Sequence, residues 1–107
     1  MKMLATANPT QTFKVIEIGD SDTETVAKRL EWVRHYYGKS QKQFAASIEV
    51  LPSTYNSWLN GPHGLSLQGA RRIKQVYSVS LDFLFFGDTA NLPDYIYQAW
   101  NSRPVGV

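Results

Sequence analysis

Apolar positions recur at helical spacing along most of this chain, in short runs separated by abrupt breaks. Val26, Leu30, Val33 and Tyr37 fall on one stripe between Ser21-x-x-Glu24, a spacing that caps a helix start, and Gly38, which closes it. Trp32 lies well off that stripe and needs cover, from the N-terminal segment or from a second subunit. Ser40 and Gln43 form another capping box ahead of Phe44, Ala45 and Ile48, and predict a helix over 41–48. Pro52 then stands where a first helical residue needs no N–H. The helix it opens, 52–59, turns Tyr55, Trp58 and Leu59 one way and Ser53, Thr54, Asn56 and Ser57 mostly the other, and Asn60-Gly61 predicts a left-handed stop.

After a Gly/Pro loop at 61–64, Ser66 caps a helix to Tyr77 with Leu67, Ala70, Ile73, Val76 and Tyr77 inward. Ser80 opens one or two turns carrying Leu81, Phe83, Leu84 and Phe85, ended by Gly87. Pro93 starts a last amphipathic stretch with Leu92, Ile96, Ala99 and Trp100 along one side. Residues 1–12 are small and polar. Thr12–Ile18 is rich in β-formers, but its alternation breaks at Val15-Ile16, which leaves a short strand, a pairing arm and an extended stretch all open. The reading is an N-terminal arm at 1–20, a domain of short helices at 21–88, and a C-terminal helix and tail at 89–107.

Composition narrows this picture. A chain of 107 residues holds one domain, and 43% hydrophobic residues with 13% aromatics give it a core rather than disorder. The net charge of +2 decides little, but its distribution decides more. Residues 23–87 carry eight Lys/Arg against four acids, so positive charge concentrates on the helical part, the sign needed beside phosphates. Solvated helix faces explain the same excess, so charge alone does not choose. The absence of cysteine excludes disulfides and thiolate metal sites. His35 and His63 are too far apart to form a helical metal pair, and no metal or cofactor is expected. No apolar run is long enough to span a membrane and Met1–Thr12 lacks the apolar core of a signal peptide, so a cytoplasmic protein is expected.

A short helix that buries Tyr and Trp and shows Ser, Thr and Asn has the make-up of a DNA-reading helix, and the pair 41–48 and 52–59 reads as a helix-turn-helix. Two fragments carry a wider likeness. SQKQFAASIEVLPSTYNSWLNG and SLQGARRIKQVYSVSLDFLFFGD, in that order, resemble the lambda-repressor-like helix-turn-helix family, the Cro/repressor or XRE type, over about 23–87. The resemblance implies an all-α, five-helix DNA-binding domain, here with a short N-terminal arm before it and an amphipathic helix after it.

By that resemblance Pro52, Ser53, Thr54, Asn56 and Ser57 match positions facing base edges. Gln41 matches a phosphate-bonding glutamine, and Asn60 with its following loop a phosphate-contacting stretch. Lys39, Ser40, Arg34 and His63 complete the candidate phosphate set. Ala45 matches a small residue that lets two helices approach, while Ile48, Val50, Tyr55 and Trp58 match core positions. Three positions depart from the pattern. Glu49 stands where the turn often has Gly, which implies a left-handed non-glycine residue; Leu51 leaves the second helix without a side-chain cap; and Leu59 replaces a glutamate that often pairs with Arg34.

The function these readings imply is a sequence-specific regulator of transcription, a repressor that binds double-stranded DNA as a homodimer. Trp32, Thr12–Ile18 and Leu92–Trp100 are the candidate dimer surfaces. The last stretch serves equally well folded back on its own domain. The alternative is a DNA-binding antitoxin or another interaction module with a protein partner, which an exposed apolar C-terminal helix would favour. No G-x-S-x-G, P-loop or H-E-x-x-H motif is present, so no enzyme is expected.

Overall fold

The structure, a computed structural model, describes residues 22–104. Among these it has six α-helices and no strand: α1 (Thr23–Tyr36), α2 (Gln41–Ser47), α3 (Pro52–Asn60), α4 (Leu67–Tyr77), α5 (Leu81–Phe86) and α6 (Asp94–Asn101). Thr12–Ile18 lies outside the described residues.

Most helix ends follow from local chemistry. Ser40 and Gln43 make both bonds of a capping box on α2, with Ser40 N–H donating to Gln43 Oε1 at 2.9 Å and Gln43 N–H to Ser40 Oγ at 3.1 Å. Ser66 and Ser80 cap α4 and α5 through the amides of Gly69 and Phe83. Helix α1 corrects the sequence reading by one residue. Its cap is Asp22, whose carboxylate accepts the Thr25 amide at 2.9 Å, and Ser21 is not among the described residues. Gly61 corrects another expectation: its φ of −87° is not left-handed. Glycine is needed there because a Cβ would sit 2.7 Å from the Ser57 carbonyl oxygen.

The core lies where α1 meets the other helices, with Leu30, Val33, Phe44, Ile48, Tyr55, Ile73, Phe83 and Ile96 fully buried. α1 packs against α3 and α5, α2 against α3, and α4 against α5. Phe44 stacks on Tyr77 with centroids 5.0 Å apart and meets Tyr55 edge-on at 5.4 Å. Tyr77 also hydrogen-bonds Ser47 through its hydroxyl and accepts the Tyr37 hydroxyl at its carbonyl, which ties α2, α4 and the end of α1 together.

Two residues assigned to the inner face of α4 are outside it: Leu67 is 61% exposed and Val76 51%. The buried stripe is Ala70, Ile73 and Tyr77, and at 3.6 residues per turn Leu67 and Val76 fall about 90° to either side of it.

Trp32 finds its cover within the chain. Trp100 of α6 meets it edge-on at 5.0 Å and Phe83 at 6.3 Å, while Tyr36 stacks on it at 5.3 Å. Leu92 and Ile96 are buried in the same core, so α6 folds back on its own domain and spends its apolar side there. Tyr95 and Tyr97 remain exposed, and the Arg103 guanidinium lies 3.4 Å from the centre of the Trp100 ring. No described helix is long and apolar enough to cross a membrane.

Candidate nucleic-acid interface

The candidate surface is built on α3, and its placement starts from the turn before it. Glu49 has a φ of 63°, the left-handed conformation expected of the position. Arg72 reaches across from α4 and donates to the carbonyls of Ile48 at 3.3 Å and Glu49 at 2.9 Å, satisfying acceptors that the end of α2 leaves open. Arg72 is therefore a brace for the turn. Leu51 takes the N-cap position of α3 and gives its first amides no side-chain cap. Pro52 follows at the first helical position.

The inner face of α3 fixes what the outer face can do. Tyr55 is fully buried and Trp58 is 6% exposed. Gly69 lets the indole lie against α4, since a Cβ there would come within 2.4 Å of two ring carbons. Pro52, Ser53, Asn56 and Ser57 are left exposed on the opposite side, while Thr54 is half-buried toward α4 beside Gln68 and Arg72. Asn56 Oδ1 accepts the Asn60 side-chain amide at 2.8 Å, one turn along the helix.

Six of the candidate residues line two recesses beside α3. Ser53, Thr54 and Ser57 share one with His63, Gly64 and Ser66. Asn60 and Gly61 share the other with Gln41, Leu59, Lys28 and His35. Lys39 and Gln41 are exposed at the start of α2; the Ser40 hydroxyl oxygen there is engaged by the Gln43 amide.

Arg34 is not where its sequence reading put it. In place of a guanidinium without a partner, turned toward phosphate, the side chain is 12% exposed and held by Glu31. Its NH2 and Nε donate to the two Glu31 carboxylate oxygens at 2.7 and 3.0 Å, and its NH1 to the Lys39 carbonyl at 2.7 Å. Glu31 also accepts the Tyr55 hydroxyl at 2.5 Å, and the His35 ring lies 3.8 Å from the carboxylate. The Arg34 bonds hold the Glu31 carboxyl below its ordinary range, against a smaller opposing effect of burial. Burial, then the Glu31 bond, pushes the Tyr55 hydroxyl up. Sequence reasoning assigned Glu31 no role; its spacing of three from Arg34 and four from His35 on one helix was the available signal.

No group of three or more His, Cys, Asp and Glu side chains suited to a metal ion occurs among the described residues. Comparison with protein-family models, curated proteins and solved structures finds no match for the chain.

Proposed function

We propose that this chain is a sequence-specific, double-stranded-DNA-binding regulator of transcription, a cytoplasmic repressor whose α1–α5 form a lambda-repressor-like domain and whose α2 and α3 are its helix-turn-helix. The observation that carries the reading is the division of α3. Tyr55 and Trp58 lock one side into the core, and Ser53, Asn56 and Ser57 stand exposed on the other as short donors and acceptors suited to base edges. An α-helix of this kind fits the major groove. It carries no Arg, Lys or Gln, so water-mediated contacts and DNA shape supply part of the specificity. Lys39, Gln41, Asn60 and His63 stand around it to meet phosphates, which fix register without reading sequence.

A single α3 offers few contacts, so the protein acts as a homodimer on half-sites about 34 Å apart. The exposed rings of Tyr95 and Tyr97 are the aromatic part of 92–100 left for contact with a second copy. Burial of Leu92 and Ile96 weighs against the partner-protein alternative, which needed that face free.

Selection of bound sequences from a random duplex pool tests the reading. An enriched inverted repeat is expected, and no enrichment by the folded protein overturns it. On the selected site, Ser53→Ala or Asn56→Ala lowers affinity by about 1–3 kcal/mol per lost base contact with little change on random duplex. Equal losses on both would remove these residues as readers.

A further inference from the structure

We propose that Glu31 is the positioning residue of the α3 surface, tying the recognition helix to α1 through Tyr55 while neutralising Arg34 and so withholding that cation from DNA. The inference rests on the DNA-binding reading above and names how that surface is set.

The geometry is a single carboxylate with three bonds from two helices. Both oxygens are taken by Arg34, its neighbour on α1, and Oε2 also receives the Tyr55 hydroxyl from α3. Tyr55 is fully buried, and its phenol reaches beyond the ring packing to a charged acceptor whose own position is fixed from the other side. Ring packing alone holds α3 close to α1 but tolerates a small roll about the helix axis. A directed bond from Tyr55 fixes that roll, and Asn56, the next residue, and Ser53, two before it, turn with it. Readers of base edges need this tolerance to be tight.

The same carboxylate decides what Arg34 can do. Nε, NH1 and NH2 are all bonded within the chain, NH2 also lying 3.1 Å from the His35 ring nitrogen. The guanidinium thus serves as a rigid strut from Glu31 to the Lys39 carbonyl, which also fixes the loop leading into α2. With Leu59 apolar, the carboxylate that holds Arg34 comes from α1 itself, and a neutral phenol makes the link to α3.

Two variants separate the two roles, both compared with the wild-type protein on its selected duplex and on random duplex over a range of salt. Glu31→Gln keeps the size of the side chain but removes the charge; discrimination between the two duplexes falls about tenfold, and the salt dependence on both steepens by about one phosphate contact as Arg34 is released. Tyr55→Phe breaks only the tether; discrimination falls while the salt slope stays unchanged. Retained discrimination in Tyr55→Phe overturns the positioning role, whatever Glu31→Gln does to folding. An unchanged salt slope in a folded Glu31→Gln overturns the withholding of Arg34. A wild-type protein without preference for any duplex, seen before either variant is made, removes the DNA reading and this inference with it.

Discussion

Helices α2 and α3 are neighbours joined by a four-residue turn and both bury a face, but only α2 has its start closed by a side-chain cap. α2 is secured at its start, where Ser40 and Gln43 satisfy each other's amides. α3 has no side-chain cap and is secured along its length, by Tyr55 and Trp58 in the core and by the Tyr55 bond to Glu31. The difference is instructive because helices this short are marginal by themselves. A helix can be stabilised locally, which occupies its ends, or by tertiary packing, which occupies one face and leaves the opposite face and the first turn open. α3 takes the second route, and its open parts are where the candidate DNA-reading residues stand.

The sharpest way to break that contrast is to take the face of α3 away. Trp58→Ala should cost about 3–5 kcal/mol, a large part of the stability of a domain of this size, and unfold the protein rather than alter its binding preference. Urea unfolding followed by circular dichroism measures it. A loss near 1 kcal/mol would mean that α3 is held by something other than its buried face.

Gly69→Ala attacks the same contact from α4, and here the sign is diagnostic. In an unobstructed helix, Gly→Ala stabilises by about 1 kcal/mol through backbone entropy. At Gly69 the new Cβ would meet two Trp58 ring carbons at 2.4 Å, so a net destabilisation of about 1–3 kcal/mol is expected. A stabilised variant would show that the indole has room to move and that α3 is less firmly placed than its burial implies.

Ser40→Ala tests the other half of the comparison. It removes one bond of the α2 box and should cost about 1 kcal/mol, with α3 unaffected. Hydrogen exchange at α2 and α3 amides distinguishes the two: faster exchange confined to α2 is expected, and equal acceleration in both would merge them into one unit.

What could be read in advance divides along the same line. Features that depend on neighbours in the chain were legible: the Ser40–Gln43 box, the caps at Ser66 and Ser80 and the missing cap at Leu51. Each is set within a few residues. Features that join distant residues were not legible. Arg72 braces a turn 23 positions away, and Glu31 meets Tyr55 at a separation of 24. Periodicity says which face a residue is on, but not which polar group meets it there. Arg34 shows the cost: noting that its partner was absent at Leu59 left the carboxylate one turn earlier on its own helix unconsidered. Leu67 and Val76 show a second limit, since an apolar stripe on a helix can be broader in sequence than the surface available to bury it. Trp32 shows a third. Its need for cover was visible, but the choice of Trp100 and Phe83 as that cover depends on where α6 lands.

The smallest effect sharpens the comparison instead of breaking it. Leu51→Ser gives α3 the cap that α2 already has. Leu51 is 68% exposed, so little apolar burial is lost, and Pro52 has no N–H, so the new hydroxyl oxygen has the amides of Ser53 and Thr54 to accept from. Stability should rise by about 0.5–1 kcal/mol, read as a higher unfolding midpoint with an unchanged slope in denaturant. If the proposed DNA contact uses those same amides, the more stable protein binds every duplex more weakly, because the cap and a phosphate compete for the same donors. A rise in stability together with unchanged binding on all duplexes would place the phosphate contacts at Lys39, Gln41, Asn60 and His63 rather than at the α3 amides. An unchanged midpoint would mean that the first turn of α3 gains nothing from a cap once its face is locked, and the two ways of holding a helix would then be alternatives rather than additive.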